Sequence, residues 1–298
     1  MRVGLIGLGI MGLPMAKNLL QKGTDLFVYD IAEDPILELE ALGAKRALPS
    51  VMGGNVDVLL TILPNGSTVK DVLFGENGAA ARLRPGTVVV DMSSVTPRES
   101  RDCWQRLQAV GVHFLDAPVS GGEPKAVDGT LAFMVGGDQE AYDRVLPLLL
   151  QMGANAVLVG PSGSGSVTKL ANQIVVNLNI AALGEALVFA TKAGVDPEKV
   201  FAAIRGGLAG STVMEAKAPM MLNRDFRPGG KISVNHKDIR NVVDTAHDMD
   251  IPVPMSAQLF EVMQALKIRD LMEEDHSALV KHFEALAAIH VQKGGASS

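Results

Sequence analysis

Short apolar runs alternate with helically spaced apolar residues over the first half of the chain. The runs are Val3 to Ile6, Leu26 to Tyr29, Val56 to Ile62, Thr87 to Val90, Phe114 to Asp116, Ala132 to Val135 and Ala156 to Val159. Strands that alternate with helices in this way build βαβ units and a mainly parallel sheet. Local signals agree: in Thr96-Pro97-Arg98-Glu99 a threonine can cap, proline takes the first helical position and Glu99 can complete a capping box. The segment from Asp116 to Gly122, with its proline and paired glycines, reads as irregular backbone after a strand.

The pattern changes at Gly160-Pro161-Ser162-Gly163-Ser164-Gly165. Beyond it no strand pattern returns and helical periods run to about Val291. This predicts an α/β unit over 1–162, an all-α unit over 163–292 and a flexible tail over 293–298. The first helix of the second unit, Ser166 to Ala193, spans about 28 residues or roughly 42 Å. It is apolar on most sides (Ile174, Val176, Ile180, Leu183, Leu187), so it asks for burial by more than its own domain, and a homodimer or homotetramer is one way to supply that. Further helices are expected from Asp196, over Val213 to Leu222, Val234 to Met249, Ser256 to Ile268 and Ser277 to Val291.

Composition narrows the function. With 47% apolar and 20% charged residues among 298 the chain has material for real cores, and at 4% aromatic those cores are Ala, Leu, Val, Ile and Met. A net charge of -6 without an extended basic run argues against nucleic acid as a partner. The lone Cys103 points to no disulfide, and the glycine-broken N-terminus to no signal peptide. No uninterrupted apolar run reaches about 18 residues, so a cytoplasmic protein without a membrane span is expected. The six histidines hold no H-E-x-x-H or other close ligand pair, and no catalytic metal is expected.

Gly7-Leu8-Gly9-Ile10-Met11-Gly12 follows a strand and opens a helix. In that context Gly7 permits the tight turn, Gly9 lets backbone approach a pyrophosphate, and Gly12 lets the helix close on the strand. Asp30 ends the second strand, eighteen positions beyond Gly12, where a carboxylate can accept from the adenosine ribose hydroxyls. No Arg follows it and neither Ile31 nor Ala32 offers a cation, so NAD(H) is expected in preference to NADP(H). Successive N–H groups of Ser120, Gly121 and Gly122 could hold a carboxylate, although an ordinary glycine-rich turn would look the same. Lys169, Asn172 and Gln173 stand at i, i+3 and i+4 near a helix start, where they share a face and the macrodipole disfavours an ammonium. A lysine so placed can pass a proton, but a lone helix lysine is more often a solvated one.

Taken in order, GLGIMGLPMAKNLL, Leu63-Pro64, DMSS, DAPVSGGEPKAVDGTL, the G-x-G-x-x-x-K-x-x-N helix start and His236-Lys237-Asp238 resemble the β-hydroxyacid dehydrogenases, from Arg2 to about Ile289. Within that family Ala203 to Val213 and Lys217 to Met220 are most similar to the branch that reduces tartronate semialdehyde to D-glycerate. The resemblance implies a Rossmann-type N-terminal domain, a long interdomain helix and an all-α C-terminal domain, with the site in a cleft between the domains. It implies Lys169 as catalytic acid/base, Ser120, Gly121 and Gly122 on the substrate carboxylate, Asn172 and Gln173 as polar support, Lys237 over nicotinamide and substrate, and Leu63, Pro64 and Ser94 along the cofactor. Its implied partner is a small semialdehyde or hydroxy acid. Gln173 stands where many relatives have Asn, and Gly230 where Phe is common. A 3-hydroxyisobutyrate dehydrogenase and a non-catalytic dinucleotide-binding module remain open alternatives at this level.

Overall fold

A computed structural model describes residues 1–294. The chain divides into two compact units, Met1–Lys169 and a second from Leu170 on. Of the expected tail over 293–298, positions 295–298 lie outside the described residues.

The first unit runs β1 (Arg2–Ile6), α1 (Gly12–Gln21), β2 (Asp25–Tyr29), α2 (Glu33–Ala41), β3 (Lys45–Arg46), α3 (Pro49–Asn55), β4 (Val58–Thr61) and α4 (Gly66–Phe74). A 3-10 turn at Ala79–Arg82 leads to β5 (Val88–Asp91), α5 (Pro97–Gln108), β6 (His113–Asp116), β7 (Val119–Ser120) and α6 (Gly122–Asp128). Then follow β8 (Leu131–Gly136), α7 (Gln139–Leu149) and β9 (Gly153–Gly160). The sheet order is β3-β2-β1-β4-β5-β6-β8-β7 with β9 against β8. Pairs from β3 through β6 are parallel, while β8 runs antiparallel to β6 and β7 and parallel to β9.

The central strands read as unbroken apolar runs because both faces are covered. Val3 and Leu5 of β1, Val58 and Leu60 of β4, Val88 and Val90 of β5 and Leu115 of β6 join one core. Ile6, Leu59, Val89 and Phe114, their alternate neighbours along the same strands, join the other. That split by alternate residues is the pleat of the strands made visible. The capping box at Thr96 and Glu99 is formed, with Pro97 in the first turn of α5.

Two strands fall outside the sequence pattern. Lys45 and Arg46 of β3 are exposed, and Val119 and Ser120 of β7 pair with Phe133 and Ala132, so regular pairing occupies part of the segment read as irregular. A two-residue strand is too short to show alternation, which is why neither was legible.

The helix α8 (Ser164–Lys192) starts in the first unit and continues into the second. The second unit adds α9 (Pro197–Ile204), α10 (Thr212–Leu222), α11 (Ile232–His247), α12 (Pro254–Ile268) and, after a 3-10 turn at His276–Leu279, α13 (Val280–Ala287). The single helix expected over Ser277 to Val291 is thus broken at both ends, by the cap that Asp275 gives Ser277 and by a left-handed Ala288. By length and composition α8 could cross a membrane. Its Ile180, Leu183 and Leu187 are instead buried in the core of the second unit with Met221, Ile239 and Met263, as in a core helix.

Candidate active site

The sheet order reverses between β1 and β4, and in open α/β sheets ligands bind outside the carboxyl ends of strands at that point. The glycine turn after β1 stands there. Gly7 has φ of +101°, and a Cβ on it would lie 2.2 Å from the Ile62 carbonyl oxygen after β4. A Cβ on Gly12 would lie 1.9 Å from the Gly7 carbonyl oxygen, whereas one on Gly9 would meet nothing within 4 Å. Two glycines are therefore demanded by the protein, and the third keeps a space open. No side chain caps α1 and no acid stands in its first turn, so the positive helix end is left to an anion. Leu8 is buried, Met11 half-buried and Ile10 exposed on the same turn.

Asp30 closes this cradle from β2. Its carboxylate accepts from the N–H of Leu8 (2.6 Å) and of Ala32 (2.8 Å), which ties the turn after β1 to the end of β2. Asp30 also lines a hollow of about 520 Å³ with Tyr29, Glu33, Ile36, Arg46 and Leu48.

On the other side, the loops after β4 and β5 are joined through buried groups. Thr61 Oγ1 and Ser93 Oγ both reach Asp91 Oδ1, at 2.8 and 2.5 Å, and Ser93 Oγ accepts from the N–H of Leu63 at 2.8 Å. Burial pushes the Asp91 carboxyl up, against the hydrogen bonds from Ser93 and Thr61. Ser93 thus fixes Leu63, while Pro64 is exposed and Ser94, expected along the cofactor, is half-buried beside them.

The first unit also brings Lys169 to the expected carboxylate turn. Lys169 Nζ donates to the Val119 carbonyl oxygen at 2.8 Å, and Ser120, Gly121 and Gly122 follow at once. Gly121 and Gly122 have φ of +139° and +69°, and a Cβ on Gly121 would press on Lys125 at 2.7 Å. Asp116, which the sequence reading did not single out, anchors the start of α8 by accepting from the N–H of Gly163 (2.7 Å) and Ser166 (2.8 Å). Gly165 permits the approach, since a Cβ there would stand 2.3 Å from the carbonyl oxygens of Asp116 and Met134. Burial pushes the Asp116 carboxyl up to about 6, despite those donors.

Asn172, Gln173 and Lys237 belong to the second unit. Gln173 is buried, donates to Asp238 (2.6 Å) and Asn235 (3.3 Å), and accepts from Asn172 (3.0 Å). Its extra methylene relative to Asn lets it span to α11. Lys237 lies 3.2 Å from Asp238. His236 stacks on Phe260 and bonds Gln264 at 2.7 Å, and burial lowers its pKa, so within its unit it joins α11 to α12. Gly230 donates to Asp275, a fully buried carboxylate that also accepts from Lys217. Cys103 is buried and its thiol pushed up to about 12 by that burial, which makes it a poor nucleophile. Among the described residues no His, Cys, Asp and Glu cluster could hold a metal.

Comparison with known proteins fits this geometry. Residues 2–160 match the NAD binding domain of 6-phosphogluconate dehydrogenase, and residues 163–283 match the NAD-binding model of NADP-dependent 3-hydroxyisobutyrate dehydrogenase. The 2-hydroxy-3-oxopropionate reductase of Escherichia coli is 41% identical over 96% of this chain and 98% of its own. The chain belongs to the β-hydroxyacid dehydrogenase family. The 2-(hydroxymethyl)glutarate dehydrogenase of Eubacterium barkeri is 33% identical over 98% of both chains. A 3-hydroxyisobutyrate dehydrogenase structure from Salmonella typhimurium superposes with a TM-score of 0.85 at 29% identity, covering 94% of this chain and 99% of that one. The chain is accordingly an NAD(P)-dependent β-hydroxyacid dehydrogenase, and its cradle suits a nicotinamide dinucleotide: an open Gly9, an uncapped helix start and a strand-end carboxylate.

Proposed function

We propose that this β-hydroxyacid dehydrogenase reduces tartronate semialdehyde to D-glycerate with NADH, with Lys169 as the general acid. The observation that carries the reading is the 2.8 Å hydrogen bond from Lys169 Nζ to the Val119 carbonyl oxygen, which sets a proton donor beside the Ser120-Gly121-Gly122 turn. When bound, the reduced nicotinamide supplies the hydride. Gly7 to Gly12 take the pyrophosphate, Asp30 the ribose hydroxyls, and Leu63, Pro64 and Ser94 the face of the cofactor. Ser120, Gly121 and Gly122 bind and orient the substrate carboxylate. Lys169 gives its proton to the alkoxide oxygen formed at the aldehyde carbon. Asn172 supports the substrate with Gln173 behind it, and Lys237 excludes water from the reacting atoms. The choice of tartronate semialdehyde leans on the reductase at 41% identity, ahead of relatives with other named substrates at 33% to 37%.

The test is a pair of substrates and one variant. Tartronate semialdehyde carries a hydroxyl where methylmalonate semialdehyde carries a methyl, and a site that bonds the hydroxyl rejects the methyl. We expect kcat/KM at least about tenfold higher for the hydroxyl compound, about 1.4 kcal/mol in transition-state binding. Equal efficiency would move the assignment to 3-hydroxyisobutyrate, the named activity of the Salmonella neighbour. Lys169→Ala should lower kcat at least about a hundredfold with NADH affinity nearly unchanged, the usual scale for a general acid. Activity within a few fold of wild type would remove Lys169 from the reaction. A cytoplasmic homo-oligomer is part of the same proposal: Val175 and Phe189 of α8 are 60% and 76% exposed, and light scattering at a monomer mass would refute it.

A further inference from the structure

The sequence after Asp30 supplies no cation, yet the fold brings one. Val28 of β2 pairs with Arg46 of β3, so the neighbouring strand carries a guanidinium to the rim of the hollow that Asp30 lines. That guanidinium is already engaged. Its Nη2 lies 2.5 Å from Glu33 Oε1 and 3.4 Å from Glu40 Oε2. Both carboxylates come from α2, Glu33 as its first residue and Glu40 two turns on, and Glu33 lines the same hollow.

A planar guanidinium is the side chain best suited to a phosphate, because its paired N–H donors match two phosphate oxygens. Here a phosphate entering the hollow would meet the carboxylates of Asp30 and Glu33 on its lining, and would have to compete with Glu33 and Glu40 for the charge of the one arginine. We propose that Glu33 and Glu40 sequester Arg46 and, with Asp30, set this chain's discrimination against a phosphate at the ribose 2′ position. The proposal rests on the reading of Gly7 to Gly12 and Asp30 as the dinucleotide site. It extends that reading by making selectivity a property of a three-residue ion cluster, and it identifies a latent phosphate-binding arginine.

The test is calorimetric titration with adenosine 5′-monophosphate and adenosine 2′,5′-bisphosphate, probes that carry no nicotinamide and need no turnover. Wild type should bind the monophosphate at least as well as the bisphosphate. Glu33→Gln/Glu40→Gln keeps side-chain shape and removes two charges, so bisphosphate affinity should rise at least about tenfold while monophosphate affinity moves less than about twofold. Adding Arg46→Gln should abolish the gain, and Glu33→Gln alone should give part of it. All three side chains are exposed, so the variants are expected to fold, which a thermal melt verifies. A gain that survives without Arg46, or is equal for both nucleotides, overturns the proposal. So does a loss of bisphosphate affinity in Arg46→Gln alone, since the arginine would then already be free to bind it. Folded wild type that binds neither the monophosphate nor NADH overturns the dinucleotide reading itself; normal monophosphate binding with unresponsive variants overturns the ion cluster alone.

Discussion

Gly9 and Gly12 belong to one signature but answer to different physics, and alanine at each position separates the two. At Gly12 the new Cβ would stand 1.9 Å from the Gly7 carbonyl oxygen, far inside an ordinary contact, and the obstacle is backbone. Neither group can rotate away, so α1 must shift from β1. Overpacking of a rigid site costs about 1–3 kcal/mol, and this case belongs at the upper end. For a chain of this size that is a fall in Tm of roughly 6–12 °C, taking about 2–4 °C per kcal/mol. At Gly9 a Cβ meets no protein atom within 4 Å and φ is not positive, so alanine adds no strain. It also lowers the freedom of the unfolded chain, worth about 0.4–1 kcal/mol toward the native state. The Tm of Gly9→Ala should thus match wild type or exceed it slightly, while the methyl fills the approach reserved for the pyrophosphate and weakens NADH at least about tenfold. Thermal unfolding and NADH fluorescence titration read the two effects independently. Wild-type NADH affinity in Gly9→Ala, or a loss of stability as large as that of Gly12→Ala, would refute the division of roles.

Asp116 makes stability depend on pH in an unusual direction. Its folded pKa of about 6 exceeds the ordinary 3.8, so the folded protein holds the extra proton between those values and stability falls as pH rises through that window. The difference corresponds to about 3 kcal/mol: in urea melts wild type should gain up to that amount over Asp116→Asn between pH 7 and pH 4, and a pH-independent gap between them would count against the assignment. Lys217→Met removes the ammonium from the fully buried Asp275, which keeps the N–H donors of Gly229, Gly230 and Ser277 and the neighbouring His276; a loss of about 3–5 kcal/mol is expected, largely recovered in Lys217→Met/Asp275→Asn, and a single variant as stable as wild type would show that the ion pair does not hold this turn.

What was legible in the sequence is what short stretches encode. The central strands show because residues such as Val58, Leu59 and Leu60 are apolar on both faces of the sheet, and the cap at Thr96 shows because both partners lie within one turn. Asp116 was missed for the opposite reason. In sequence it is a strand-end acid like many others, and its role at the start of α8 depends on Gly163 and Ser166, both distant along the chain. Gln173 was noticed as a departure, but the partners that explain its length, Asp238 and Asn235, lie on another helix of the second unit. The role of Ser93 was not legible because the Leu63 N–H from which it accepts lies 30 positions away in the chain.

The same contrast governs cofactor choice. Asp30 is readable because it sits at a fixed distance from the glycine turn on the next strand of a βαβ unit, and its bond to the Leu8 N–H is the structural form of that spacing. The absence of a cation after Asp30 is equally readable, and it is an incomplete account of the charge there. Strand pairing, not sequence adjacency, decides which side chains surround a strand end, and β3 is a two-residue strand whose only residues are Lys45 and Arg46. Its contribution cannot be inferred from a hydrophobic pattern it does not possess. The carboxylates that bind Arg46 come from α2, so a substitution at Glu33 or Glu40 alters the charge beside Asp30 without touching the motif by which cofactor preference is usually read. If the proposed ion cluster sets selectivity, relatives that share Asp30 need not share that selectivity, because part of the charge beside Asp30 arrives from elements the motif does not include.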